Sequence, residues 1–280
     1  MLVRILAAAV GLPILLAIVL LLPPIGTAIL FALACMVAAY EMLWRTGIWK
    51  NKRAVVVTAL MAAATVMWSW LKGCGIISEQ YLWVSALAGL FVFFTYLFCE
   101  LLAGHAKLQF TGMCAALFAG FVYPFLIGAL VRMRCVESGV YYILVAFLLS
   151  MVADSGAYFV GRAIGKHKLA PVVSPKKTIE GAIGGILVNI LGMILYTLIL
   201  NKCFGFTQVN YLYAAIYGVL GAAASMIGDL TLSVVKRQVG IKDYGNLIPG
   251  HGGVLDRFDS TMMVAPLAEI LLLLIPFAVK

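Results

Sequence analysis

The sequence predicts an all-α, polytopic integral membrane protein with about nine transmembrane helices, and three observations carry that expectation. Hydrophobic side chains make up 64% of the 280 residues and charged ones only 11%, whereas soluble domains average roughly 45–50% apolar and about 25% charged. The apolar runs are long and continuous, unlike the alternating strands of about 10 residues that build a membrane barrel. The polar residues gather in a few short clusters instead of alternating along the chain. Disordered, coiled-coil, collagenous and disulfide-scaffold classes each need a composition that is absent here.

Nine stretches are long enough to span: Ile5–Leu22, Ile25–Trp44, Ala54–Leu71, Tyr81–Leu102, Gly112–Val131, Val140–Val160, Ile179–Leu200, Tyr211–Val235 and Thr261–Val279. The first resembles a signal peptide in its short basic start. Its apolar run is longer than an ordinary signal core, and Pro23-Pro24 leads straight into the next run without a small-residue cleavage site, so a retained helix is expected. The net charge of +9 would suit nucleic acid in a soluble protein. In a membrane protein it reads as topogenic, and no nucleic-acid partner is expected. With nine spans, fifteen of the 20 basic residues fall on the side of the N-terminus, among them Arg4, Lys107 and the runs near Arg45, Lys166 and Lys236. The other side holds Lys72, Arg132, Arg134, Lys202 and Lys280. A cytoplasmic N-terminus and an external C-terminus follow. The six cysteines form no CxxC pair and read as small core hydrophobes, without a disulfide or zinc framework.

Residues 1–140 are expected to form a structural region of about five helices, and residues 141–280 a catalytic region with cytoplasmic motif loops. In the second region the polar residues fall into three clusters. The most extended runs from Ser233 through Lys236, Arg237, Lys242, Asp243, Gly245, Pro249, His251, Asp256 and Arg257 to Asp259. Ser225, Asp229, Ser233 and Lys236 recur at helical spacing, which puts a polar stripe on one face of the eighth helix. Asp256 and Asp259 are placed at the start of the ninth helix, facing the same way. Carboxylates Asp229 and Asp256 would suit a hard cation such as Mg²⁺ together with substrate phosphates. A lone aspartate within a span costs about 2.5–3.5 kcal/mol on insertion scales, which helix capping alone would not explain. Glycines allow close approach to phosphate, and His251 suits a phosphate donor, a metal ligand or a packing role.

The second cluster, Ser174-Pro175-Lys176-Lys177-Thr178-Ile179-Glu180-Gly181, leads into the seventh helix. Its two lysines, a hydroxyl and a helix N-terminus suit an anion, and they suit equally an N-cap at Thr178 with Glu180 in the first turn. The third sets Asp154, Tyr158 and Arg162 four apart on one helical face, for a polar ligand or simply to satisfy the buried charge of Asp154. His105 and His167 lack sequence partners. P-loop, HExxH, GxSxG and dinucleotide fingerprints are absent, which withdraws support from zinc proteolysis, hydrolase and hydride-transfer chemistry.

From Ser233 to Asp259 the chain matches S-x-x-K-R-x4-K-D-x-G-x2-[IL]-P-G-H-G-G-x2-D-R-x-D without a break. In this it closely resembles the phosphatidate cytidylyltransferases, or CDP-diacylglycerol synthases. The other two clusters look like the family's further polar segments, while the first 140 residues add hydropathy only. The resemblance implies a Mg²⁺-dependent nucleotidyltransferase of phospholipid biosynthesis in the bacterial inner membrane. It would transfer CMP from CTP to phosphatidate among the membrane lipids, and it is compatible with a homodimer and with a second cation. By the same resemblance Asp229 and Asp256 hold the metal, and Lys236 and Arg237 act with them. Lys176, Lys177, Lys242 and Arg257 bind the phosphates, with Ser174, Thr178, Glu180, Asp154, Arg162, Ser233, Asp243, His251 and Asp259 around the substrates. A cation-coupled transporter would place its aspartates at mid-membrane and show related halves, and a CDP-alcohol phosphotransferase would show DGx2AR; neither is seen.

Overall fold

A computed structural model describes residues 2–103, 110–247, 250 and 252–280, without the side chains of residues 2–10 and 12. His105, Lys107, Pro249 and His251 lie outside the described residues, as does the side chain of Arg4. Among the described residues the chain forms nine helices in succession. They are Leu2–Leu21, Pro24–Arg45, Lys52–Gly73, Glu79–Ala103, Phe110–Cys135, Gly139–Ile164, Ile179–Cys203, Tyr211–Gln238 and Thr261–Leu274. The second to the eighth are long and apolar enough to cross a membrane. The protein is an all-α polytopic membrane protein. Two small antiparallel ribbons, not expected from the apolar pattern, join β1 (Lys168–Ala170) to β2 (Ser174–Thr178) and β3 (Gln208–Val209) to β4 (Ala278–Val279).

Two compact units divide the chain: residues 1–140 with 238–258, and residues 141–237 with 259–280. In the first, the second, third and fifth helices pack closely, because small residues let their backbones approach. A Cβ at Gly128 would strike Ser69, and one at Gly73 would lie 3.0 Å from the Cα of Arg132. Arg132 donates to Ser69 Oγ at 2.9 Å. Asn51 opens the third helix by accepting from the backbone N–H groups of Arg53 and Ala54, an N-cap that satisfies donors the helix cannot. Leu43, Val55, Phe93, Leu97 and Met113 form a buried cluster, while the fourth helix turns Trp83, Leu87, Phe91 and Val92 outward. The second and fifth helices each contain one π-helical turn, Glu41–Arg45 and Phe118–Val122.

In the second unit glycines again set the spacing. A Cβ at Gly218 would meet the Ile190 backbone at 2.6 Å, and one at Gly185 would meet Ala153 O at 2.9 Å. The buried side chain of Asn189 on the seventh helix donates to Leu149 O of the sixth at 3.2 Å and to Gly218 O of the eighth at 3.1 Å.

Three expectations need correction. The last helix stops at Leu274 after 14 residues, about 21 Å at 1.5 Å per residue and short of a spanning length of about 30 Å. Pro276 cannot continue the ladder and draws Ile275 out of the helical region (φ −141°, ψ 68°), after which Val209 and Ala278 pair. Asp256 and Asp259 do not begin that helix: the chain turns at Val254–Arg257, where Arg257 N donates to Val254 O at 3.0 Å, and the helix starts at Thr261. Of the cysteines only Cys35 is buried; Cys74, Cys99, Cys114 and Cys203 are exposed and Cys135 is partly so. Most of them therefore lie outside the core.

Candidate active site

In the first unit, the loop after the eighth helix folds around two buried carboxylates. Asp256 Oδ2 accepts from Tyr244 N at 2.8 Å and from Gly253 N at 3.0 Å, and Asp256 is 5% exposed. Glu41, 2% exposed on the π turn of the second helix, accepts from Val254 N at 3.1 Å and Leu255 N at 2.9 Å. The backbones of Gly245 and Gly253 press against its carboxylate so closely that a Cβ at either would collide with it. Arg45, one turn further along, reaches Asn246 Oδ1 at 2.9 Å. Gly252 adopts φ +87°, a left-handed conformation that glycine takes without strain, and Asp256 Oδ2 would lie 3.0 Å from a Cβ there. Lys242, Asp243 and Arg257 are exposed. His251 falls outside the described residues.

Glu41 was missed by sequence reasoning, which found little beyond packing in the first half of the chain. The signal was present: a single carboxylate inside an apolar run is costly and demands partners.

In the second unit, the predicted stripe of the eighth helix is the buried side. Ser225 is 0% exposed, Ser233 6% and Lys236 7%. Ser233 Oγ donates to Asp229 Oδ1 at 3.1 Å, one turn away, and Lys177 Nζ of β2 lies 2.6 Å from Asp229 Oδ2. The second and third clusters thus reach the same helix. Asp154 of the sixth helix accepts from Ser225 Oγ and from Ser260 Oγ, both at 3.0 Å. Its charge is met by hydroxyls, while Arg162 turns to Tyr158 OH at 3.1 Å. Lys236 Nζ stands 4.0 Å from Asp259 Oδ2. The Asp259 carboxyl is pushed up to about 7, mainly by burial and then by the negative charge of Asp229, with Lys236 opposing.

The segment before the seventh helix is a strand. Ser174 pairs with Ala170 and Thr178 with Lys168. Thr178 is then the N-cap, its Oγ1 accepting from Gly181 N at 3.1 Å. Glu180 accepts from the backbone N–H groups of Lys166 and His167 and contacts His167 Nδ1 at 2.5 Å, an arrangement that fixes the loop before β1. Lys176 is exposed. Arg237 Nε donates to Val173 O at 3.1 Å, tying the end of the eighth helix to the turn of the hairpin.

Charge pairs and carboxylates of this kind, embedded in apolar helices, are the elements of phosphate chemistry. A family model described as the cytidylyltransferase family matches residues 2–275. The chain belongs to the cytidylyltransferase family. Among the relatives of this chain, a protein of Staphylococcus epidermidis named phosphatidate cytidylyltransferase is 45% identical over 137 residues, 49% of this chain and 51% of the relative. One of Staphylococcus aureus with the same name is 45% identical over 139 residues, again 49% and 51%. The chain therefore spans about half the length of the curated relatives it matches.

Proposed function

We propose that this protein transfers CMP from CTP to phosphatidate, giving CDP-diacylglycerol and pyrophosphate. The observation that carries the reading is the contact of Lys177 with Asp229, which brings a phosphate-neutralising cation and a hard-oxygen ligand, from two separate sequence clusters, to one point on the eighth helix. The names of the staphylococcal relatives support the choice of substrates.

A phosphatidate phosphate is largely ionised near neutral pH and needs no strong base. One of its oxygens attacks the α-phosphorus of CTP, the bond from that phosphorus to the bridging oxygen breaks, and pyrophosphate leaves. The protein's task is alignment and charge neutralisation. Lys177, Lys236 and Arg237, with the exposed Lys176, Lys242 and Arg257, neutralise the triphosphate, the leaving group and the lipid headgroup. Ser233 holds the Asp229 carboxylate in place, and the serines on Asp154 do the same for it.

The donor chemistry fits Mg²⁺. Carboxylates and hydroxyls are present, and among the described residues no three His, Cys, Asp or Glu side chains stand close enough to cage a metal. Mg²⁺ takes one or two carboxylates and fills its remaining positions with water and substrate phosphates. By the family resemblance, the residues that would hold it are Asp229 and Asp256. When bound, the ion would neutralise phosphate charge. The same reading places the enzyme in the bacterial inner membrane, with the N-terminus and motif loops cytoplasmic, and allows a homodimer.

The test follows radiolabelled CTP into lipid with detergent-solubilised protein and phosphatidate, with and without Mg²⁺. Metal-dependent formation of labelled CDP-diacylglycerol is expected, and it should be lost in Asp256→Asn. Binding of phosphatidate without turnover of any nucleotide would overturn the proposal.

A further inference from the structure

The third and fifth helices end side by side. Their last turns are joined by Arg132 on Ser69 and by the backbone approach at Gly73. One step beyond, Cys74, the C-cap of the third helix, meets Cys135, the last residue of the fifth. Their sulfurs are 2.9 Å apart across 61 residues of sequence. That is closer than the roughly 3.5 Å at which non-bonded heavy atoms settle, and it leaves little to close before a covalent bond of about 2.05 Å. A Cβ at Gly73 would lie 3.0 Å from Cys135 Cβ, so the two chain ends are pressed together at this point. Cys74 is exposed and Cys135 partly so, which leaves the pair open to a reagent in solution.

The distribution of lysines and arginines puts both helix ends on the face opposite the N-terminus, the external face in the orientation proposed above. Thiols on that side of a bacterial membrane meet an oxidising compartment, whereas cytoplasmic thiols stay reduced. We propose that Cys74 and Cys135 form a disulfide that clamps the external ends of the third and fifth helices.

The oxidant is a protein or small-molecule disulfide. The exposed Cys74 thiolate attacks one sulfur of that disulfide, forming a mixed disulfide and releasing one thiolate. The Cys135 thiolate then attacks the Cys74 sulfur and expels the second. Two protein thiols lose two protons and two electrons, and the oxidant leaves as two thiols. No residue of the candidate active site takes part, and the bond rests on the proposed function only through the orientation of this face.

The experiment uses the full chain in spheroplasts. Thiols are blocked with N-ethylmaleimide during denaturation, the sample is reduced, and newly freed thiols are labelled with a heavier maleimide before peptide mass spectrometry. The expected result is the heavy label on the Cys74 and Cys135 peptides and the light label on those of the other cysteines, with Cys135 moving to the light label in Cys74→Ser. Light label on both in the wild type would overturn the disulfide, as would heavy label on Cys135 persisting in Cys74→Ser. A parallel sample treated first with a membrane-impermeant maleimide separates the two ways to fail. Free thiols that react would sink the disulfide alone; free thiols that are shielded would sink the orientation as well.

Discussion

Replacing Glu41 with alanine tests whether the signature loop depends on a residue from the opposite end of the sequence. The carboxylate receives two backbone N–H groups, from Val254 and Leu255, in a place where Glu41 is 2% exposed. A hydrogen bond to a charged group contributes about 1.5–3 kcal/mol, so losing both removes roughly 3–6 kcal/mol from the ordered form of the loop. The same turn carries Asp256, held by Gly253 N. At 1.4 kcal/mol per decade, even the lower figure corresponds to a fall of about 100-fold in the fraction of properly ordered loop. The expected outcome is a fall of about that size in kcat/KM for CTP-dependent product formation. Glu41→Gln keeps one acceptor oxygen and should lose roughly a tenth as much. The loop also packs on the second helix where Phe258 meets Phe31 edge to face, and that contact remains in the variant, so the helices of the first unit should stay folded in detergent. Hydrogen exchange at the Val254 and Leu255 amides should accelerate together with the loss of activity. Wild-type turnover in Glu41→Ala, or lost turnover with amide protection unchanged, would refute the argument.

Other consequences are equally direct. Asp229→Asn removes the charge facing Lys177 and should abolish most turnover while leaving a folded protein in detergent, as measured by activity and size-exclusion chromatography. Lys177→Arg should be milder than Lys177→Ala because charge is kept while geometry changes, a difference visible in KM for CTP. Asp259 holds its proton to about pH 7 in the folded chain, against about 4 for an ordinary carboxylate. The folded state thus binds more protons than the unfolded state between those values, and stability falls as pH rises through that window. Melting in detergent with chelator from pH 5 to 8 should show the decline, and Asp259→Asn should flatten it. Gly253→Ala drives a methyl group into the Glu41 carboxylate and should cost about 1–3 kcal/mol, with activity falling in parallel.

The membrane spans were legible because each is a continuous apolar run, and no tertiary contact is needed to recognise one. The stripe Ser225, Asp229, Ser233 and Lys236 was legible for a similar reason, since helical spacing alone puts those residues on one face. What spacing could not provide was partnership across the fold. Ser260 on Asp154 is 106 residues distant and Lys177 comes to Asp229 from a strand that reads as a polar loop. Glu41 is further still, 213 residues from Val254, while the side chain of Arg45, one turn along from it, reaches Asn246 of the same loop. The shortened last helix could have been read from Pro276, had its effect on Ile275 been weighed against the apolar count.

The carboxamide of Asn189 acts as a rivet. Its nitrogen donates to carbonyls on both neighbouring helices, while its oxygen is buried and unsatisfied among the described residues. In a membrane interior water cannot replace those bonds, so the seventh helix cannot slide or rotate without surrendering both. The sixth, seventh and eighth helices consequently move as one body at this level, and the separation of Asp154 from Asp229 is set by the scaffold before any substrate arrives. If the proposed substrates enter this unit, the motion that admits them must be sought in its hairpin and turns, with the three helices serving as the frame.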